Sequence, residues 1–242
     1  MISRTFDIFF SLIGIFILSP IMILFSMLVW LQDFQNPIYY GARVGKNNNI
    51  FNMIKLRTMH IGADKTGVDS TSSKDNRITF VGHVIRRFKI DELFQLFNVV
   101  KGDMSLVGPR PNVIRDVALY SEIEKKILLV LPGITDISSI VFSDEGEILA
   151  DHTDPDLAYN QLIRPWKSRL AILYISKKSI FLDLQIIFYT VVAIFSKQLA
   201  LNWINKKLIQ FNVDKKLIIA CMRDKPLKPH PPPGIDIIIE DR

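Results

Sequence analysis

Arg86-Arg-Phe-Lys-Ile-Asp-Glu-Leu-Phe-Gln-Leu-Phe-Asn-Val-Val-Lys-Gly-Asp-Met-Ser-Leu-Val-Gly-Pro-Arg-Pro111 is the stretch on which the reading of this chain turns. Ile90, Leu93, Phe97 and Val100 recur at helical spacing, which predicts an amphipathic helix over 91–100 with one buried face. Asp91 and Glu92 then occupy its first turn, where the macrodipole and free N–H groups favour negative charge and a phosphate or metal-phosphate can bind. Lys101 and Gly102 read as a last-turn cation and a left-handed cap. Beyond them Pro109-Arg110-Pro111 holds one guanidinium, a planar anion clamp, on backbone restricted by two prolines.

Capping alone would explain an acidic pair at a helix start. The company argues for more. Arg86, Arg87 and Lys89 precede the acids and Arg110 follows one helix later, a mixture suited to an anionic substrate carried with a divalent cation.

The 242 residues can bury a core and build one catalytic domain with appendages. Hydrophobic residues make up 49%, concentrated in blocks, and the net charge of +6 suits anionic headgroups, nucleotide phosphates or nucleic acid. The single cysteine, Cys221, excludes an internal disulfide framework and a cysteine zinc cluster. His60, His83, His152 and His230 are scattered without metal-ligand spacing.

From Ile8 to Leu31 there is no charged residue, a run long enough to cross a bilayer as one helix. Trp30, Leu31 and Gln32 stand where a signal peptide would need small residues for cleavage. Ser19-Pro20 interrupts the run: proline removes a helix hydrogen bond and the serine can re-satisfy the freed carbonyl. A sharp kink there would return the chain to the face it entered. Basic residues flank both sides (Arg4; Arg43 and Lys46), so the residues themselves leave a spanning helix and a re-entrant hairpin both open.

Asn36-Pro37 marks a boundary, and short strand-like runs follow at 38–40 and 50–54. Gly41-Ala-Arg-Val-Gly45-Lys46 is one residue short of a Walker loop and has Asn47 where magnesium binding needs Ser or Thr. Lys55-Leu56-Arg57 alternates, placing Lys55 and Arg57 on one side of an extended segment. Residues 61–76 have the polar composition of a mobile lid. A helix is predicted from Leu170 to Phe195, with an apolar end from Ile186 too short to span and suited to core or interface. Pro226 to Pro233 reads as a polyproline-like linker to a terminal strand at Ile235-Asp-Ile-Ile-Ile.

Asp-Glu-Leu-x-Gln-Leu-Phe-Asn-Val-x-Lys-Gly-Asp-Met-Ser-Leu-Val-Gly-Pro-Arg-Pro resembles the signature of the bacterial sugar transferases, the monotopic phosphoglycosyl transferases. Lys-Leu-Arg-Thr-Met at 55–59, with Leu56 for the usual Phe, and Pro-Gly-Ile-Thr at 132–135 resemble two further family blocks. The resemblance runs over about residues 1–195 and is strongest from 39 to 111. It implies a helix-rich α/β (α+β) fold: a re-entrant membrane helix hairpin kinked at Ser19 and Pro20 (1–35), a small cytoplasmic catalytic domain with interfacial amphipathic helices (36–197), and a C-terminal extension (198–242).

The implied reaction moves a sugar 1-phosphate from a UDP-sugar to a membrane polyprenyl (undecaprenyl) phosphate, releasing UMP, as a first membrane step of glycoconjugate synthesis. Asp91 matches the family's nucleophile and is the expected magnesium ligand, with manganese as substitute; Glu92 assists. Arg110, between Pro109 and Pro111, matches a nucleotide clamp. Lys55, Arg57 and Arg86 are expected phosphate contacts by charge. The implied setting is the bacterial inner membrane with the domain facing the cytoplasm, among lipids and without nucleic acid, and a homodimer is compatible. Asp136-Ile-Ser-Ser replaces the frequent Gly-Trp-Ala-Gln, leaving the sugar open. The alternative class is a non-enzymatic, membrane-anchored basic binding protein for acidic lipid or nucleic acid, which leaves the acidic pair inside the basic patch unexplained.

Overall fold

The computed structural model describes residues 2–241. Helix α1 (Ile2–Asp33) runs unbroken through Pro20, so the expected hairpin does not appear as two helices. The local reason is visible: Ser19 Oγ donates to Phe16 O at 2.8 Å, the carbonyl that proline's missing N–H leaves free. Asp7, Ser11, Met22 and Val29 are buried, and Gly14, Leu18 and Phe25 are half-buried between them, forming one stripe at helical spacing. The other faces stay open, Phe16 being 82% exposed.

Both ends of α1 are fastened. Arg4 donates to Val100 O (3.0 Å) and Met104 O (3.3 Å), placing a cation on the carbonyl end of a neighbouring helix. Asp7 accepts from Ser105 Oγ (2.8 Å) and Leu106 N (3.2 Å). At the other end Asp33 takes both Nη atoms of Arg57, one at 2.7 Å.

Strands β1 (Ile38–Val44) and β2 (Ile50–Leu56) form an antiparallel hairpin pairing Tyr39 with Lys55 and Arg43 with Phe51. Its turn uses Asn47 and Asn48 at positive φ, which asparagine tolerates better than most residues. Helix α2 (Phe80–Arg87) starts at Thr79, whose side chain accepts from Gly82 N. The central stretch differs from expectation: Ile90–Phe94 is a 3-10 turn entered through left-handed Lys89, and only Gln95–Lys101 is α-helix, α3. Gly102 closes it at φ 108, as predicted.

The buried face also differs. Ile90, Phe94, Leu96, Asn98 and Val99 are buried while Phe97 is 42% exposed. Two neighbours cover α3, with α1 on one side and β2 on the other, so its buried arc is wider than a single stripe. Asn98 fills the seam: its Oδ1 accepts from Ile54 N and its Nδ2 donates to Asn52 O, both at 2.8 Å, stitching helix to strand.

Strand β3 (Ser105–Val107) pairs in parallel with β4 (Gly133–Thr135), and the short helix α4 (Ile114–Ala118) lies between them in sequence. Helices α5 (Ile137–Val141), α6 (Glu145–Ile148), α7 (Pro155–Ala158) and a π-turn lead to α8 (Arg164–Lys177). The single helix expected over 170–195 is two, because Ser179 caps the start of α9 (Ile180–Phe195) by accepting from Leu182 N.

Of the stretch 198–242, expected as an extension, residues between 200 and 227 share the largest core. Ala200, Ile204 and Leu208 of α10 (Lys197–Gln210) and Cys221 of α11 (Lys215–Met222) are buried with Ile140, Leu170 and Ile186. The proline-rich tail is strapped across the domain: Arg169 donates to Pro231 O, Ser121 to Pro233 O and Gln161 to Ile239 O. These side-chain bonds take the place of the predicted terminal strand.

Asn98→Leu keeps volume near constant and leaves Ile54 N and Asn52 O without this partner. At about 1–3 kcal/mol for a buried unsatisfied group, we expect a marked fall in melting temperature in detergent. A melting temperature within one degree of wild type would remove Asn98 as the stitch.

Candidate active site

The central 3-10 turn brings two carboxylates to one place and the surrounding elements give each a different cation. Asp91 is 7% exposed and faces Lys55 of β2, with Nζ 3.7 Å from Oδ2. Arg86, from the last turn of α2, is held by Thr58 (Nε to Oγ1, 2.8 Å), and its charge acts on Asp91. Glu92 is gripped through both oxygens by Arg110, which also donates to Ile134 O at 3.3 Å.

These surroundings pull the two acids apart. Burial pushes the Asp91 carboxyl above its ordinary range, and Lys55 only partly opposes it. Burial would raise Glu92 too, but Arg110, Lys89 and Lys55 outweigh it and hold Glu92 well below the usual carboxylate range. Burial also draws the Lys55 ammonium down to about 8 against the pull of Asp91.

Arg110 stands where two chain segments cross closely. Gly108 N donates to Thr135 O and Gly133 N to Pro109 O, each at 3.0 Å. A Cβ on Gly108 would lie 2.7 Å from Leu131 O, and one on Gly133 would overlap Gly108 N. Both glycines are therefore required by backbone contact. Beside Arg110 lies a small recess lined by Asn112, Tyr120, Asp136, Ser138, Tyr159 and Lys167. The polar loop over 61–76, expected as a free lid, is tied down: Arg77 donates to Thr66, Val68 and Asp75, and Ser70 N donates to Asp156 at 2.7 Å.

Of the residues predicted from sequence, Asp91, Glu92, Lys55, Arg86 and Arg110 converge, with Pro109 and Pro111 flanking the clamp. Arg57 goes elsewhere. Its guanidinium is committed to Asp33 and Asn36 O (2.9 Å), at the end of α1, because the residue after Leu56 leaves the strand beside that helix terminus. Ser19 and Pro20 lie in the middle of α1. Sequence reasoning missed Gln95, one turn beyond Asp91: it is fully buried and neither amide atom has a hydrogen-bond partner among the described residues. Gln95 and Asn98 were both visible as uncharged polar residues within an apolar helix.

Among the described residues no three His, Cys, Asp or Glu side chains gather at one point. The donor set nevertheless fits magnesium in the manner of phosphate-transferring sites, where one or two carboxylates suffice and substrate phosphates and water complete the shell. Asp91 is the carboxylate not taken up by an arginine fork.

A helix long and apolar enough to cross a membrane thus packs beside a buried acid pair that Lys55, Arg86 and Arg110 surround. The chain belongs to the bacterial sugar transferase family, whose sequence model matches residues 1–197. It is 37% identical over 196 residues to an undecaprenyl-phosphate glucose phosphotransferase of Komagataeibacter xylinus, covering 78% of this chain and 35% of that protein. It is 33% identical over 196 residues to the UDP-N-acetylgalactosamine-undecaprenyl-phosphate N-acetylgalactosaminephosphotransferase of Aeromonas hydrophila, covering 78% of this chain and 43% of that one. Exopolysaccharide production protein PSS of Rhizobium leguminosarum is 34% identical over 204 residues, covering 80% of this chain and 94% of that protein. The chain thus spans less than half the length of the first two relatives.

Gly133→Ala forces backbone apart at the crossing that carries Arg110. We expect a loss of one to a few kcal/mol of stability by the overpacking rule, together with loss of activity, whereas Ile134→Val, in the same strand, should retain both. Wild-type melting and activity in Gly133→Ala would show that the crossing does not set the clamp.

Proposed function

We propose that the chain transfers a sugar 1-phosphate from a UDP-sugar to a polyprenyl phosphate, releasing UMP, at the cytoplasmic face of a bacterial inner membrane. The observation that carries this reading is the division of the acid pair: Glu92 is neutralised by Arg110, leaving Asp91 beside Lys55 and Arg86. An Asp91 oxygen forms a bond to the sugar-side phosphorus as the phosphorus–oxygen bond to UMP breaks. A phosphate oxygen of the lipid then attacks the same phosphorus and Asp91 is released. Lys55 and Arg86 are placed to offset phosphate charge that would otherwise repel a carboxylate nucleophile. A magnesium ion held by Asp91 and the diphosphate would add further neutralisation and orientation. Family membership and the names of the relatives support the same reaction class.

The lipid acceptor keeps its tail in the bilayer, so the nucleophile must sit at headgroup height. Open apolar faces supply the docking: most of α1, Phe181, Phe188 and Phe195 on α9, and Phe80 and Val84 on α2 with Phe88 just after it. Lys177, Lys178, Lys206 and Lys207 add cations for anionic headgroups, whereas Lys197 is paired with Asp144 at 2.6 Å. Both ends of α1 bond to one domain, which supports a re-entrant or interfacial course over a crossing one.

Incubation with UDP-sugar and magnesium, without acceptor, should add the mass of a phosphosugar to the protein. Asp91→Asn should abolish both adduct and turnover, and chelation should suppress the adduct; Glu92→Gln should cripple turnover while retaining some adduct. A wild-type enzyme that turns over without ever showing the adduct on rapid quenching would leave direct transfer instead. For topology, Thr5→Cys and Lys46→Cys should both resist impermeant thiol reagents in intact cells, native Cys221 being buried. Labelling of the first alone would make α1 a spanning helix.

A further inference from the structure

Arg43 has no role in the site as described. It lies on the face of β1 that carries Tyr39 and Gly41 and, through the antiparallel register, Met53 and Lys55. A Cβ at Gly41 would come 3.1 Å from the Tyr39 ring and 3.3 Å from Arg43 Nη1. The guanidinium is therefore folded back along the strand over the gap that Gly41 leaves, towards the end of the sheet where Lys55 meets Asp91. Its Nη1 donates to Ala42 O at 2.8 Å, leaving Nε and Nη2 available. Asp69 and Asp116 are the acids whose charges reach it, and Asp69 is paired with Arg115 at 3.8 Å. Arg110 and Lys55 are close enough for each to feel the Arg43 charge.

Arg43 thus stands near Lys55 and Arg110, the two cations that the acid pair already engages. Glu92 answers Arg110, and Asp91 answers Lys55. We infer that Arg43 is a phosphate-binding residue of this site, its guanidinium stored over Gly41 and presented to a substrate phosphate next to Arg110. A guanidinium with unspent donors in a fixed fork is the side chain best matched to phosphate oxygens. The inference rests on the proposed transfer reaction, in which that phosphate belongs either to the nucleotide or to the lipid acceptor.

The test uses the full chain in nanodiscs, titrating UDP with magnesium and measuring the KM for polyprenyl phosphate. Arg43→Ala should weaken UDP binding 10- to 100-fold with acceptor KM unchanged if the phosphate is the nucleotide's. A tenfold rise in acceptor KM with UDP binding unchanged would assign the same contact to the lipid. Arg43→Lys should recover part of either loss. Gly41→Ala keeps the charge but fills the gap, and should move the same parameter in the same direction; it also serves if Arg43→Ala fails to fold. Neither parameter moving in Arg43→Ala, with wild type binding UDP and releasing UMP, overturns the inference alone. Wild type that neither binds UDP nor releases UMP overturns the reaction and the inference together.

Discussion

Two adjacent carboxylates can both stay ionised when buried only where each meets a cation, because repulsion at about 5 Å would cost roughly 3 kcal/mol even at an effective dielectric near 20. Desolvation adds to that cost. Here the opposing charge comes from different parts of the chain: Lys55 from the hairpin, Arg86 from α2, Arg110 from the crossing of Gly108 and Gly133. Removing any of these elements leaves an uncompensated buried charge, which ties the local fold to the electrostatics of the site.

The unequal sharing of cations gives the neighbouring acids different chemistry. A bidentate arginine holds Glu92 as an anion and fixes its orientation. Asp91 faces a single lysine at a looser 3.7 Å, and burial dominates its proton affinity. Acids whose environments push their proton affinities in opposite directions are suited to separate roles on one substrate. Neighbours in a tight turn also point in different directions, which lets one reach Arg110 while the other meets Lys55.

Much of this was legible because motif residues announced charge and backbone constraint locally. Asp91, Glu92, Lys55 and Arg110 could be named from residue type and spacing, and the left-handed cap at Gly102 from its place after a helical run. What escaped depends on neighbours distant in sequence. The helix over 91–100 was read with one buried stripe, but α1 and β2 cover it from two sides, so Asn98 and Gln95 are interior and Phe97 is not. The run at 170–195 looked continuous because a single Ser179 cap carries less signal than the apolar pattern around it. Arg57 looked like a phosphate ligand because charge reveals nothing about which carboxylate the fold will bring beside it. In the tail, β-branched isoleucines suggested a strand, whereas Gln161, Arg169 and Ser121 supplied bonds that only tertiary packing could provide.

The fate of Arg57 bears on how an anchor can set the height of a reactive group. Successive residues at the end of β2 face opposite ways, and each meets a different partner. Lys55 turns to Asp91; Leu56 is buried with Met22 and Val29 of α1; Arg57 grips Asp33 at the end of that helix. Three consecutive residues thus connect the membrane helix to the acid proposed to carry the phosphosugar. Extended backbone and a bidentate ion pair leave little slack along that path. The far end of α1 is secured independently by Arg4 and Asp7, so the helix is held at two points and cannot pivot about one. In the proposed reaction a lipid phosphate confined to the headgroup layer would meet a nucleophile whose depth those two fastenings set. On this view Leu56, the departure from the usual Phe, belongs to the packing between anchor and strand rather than to the chemistry.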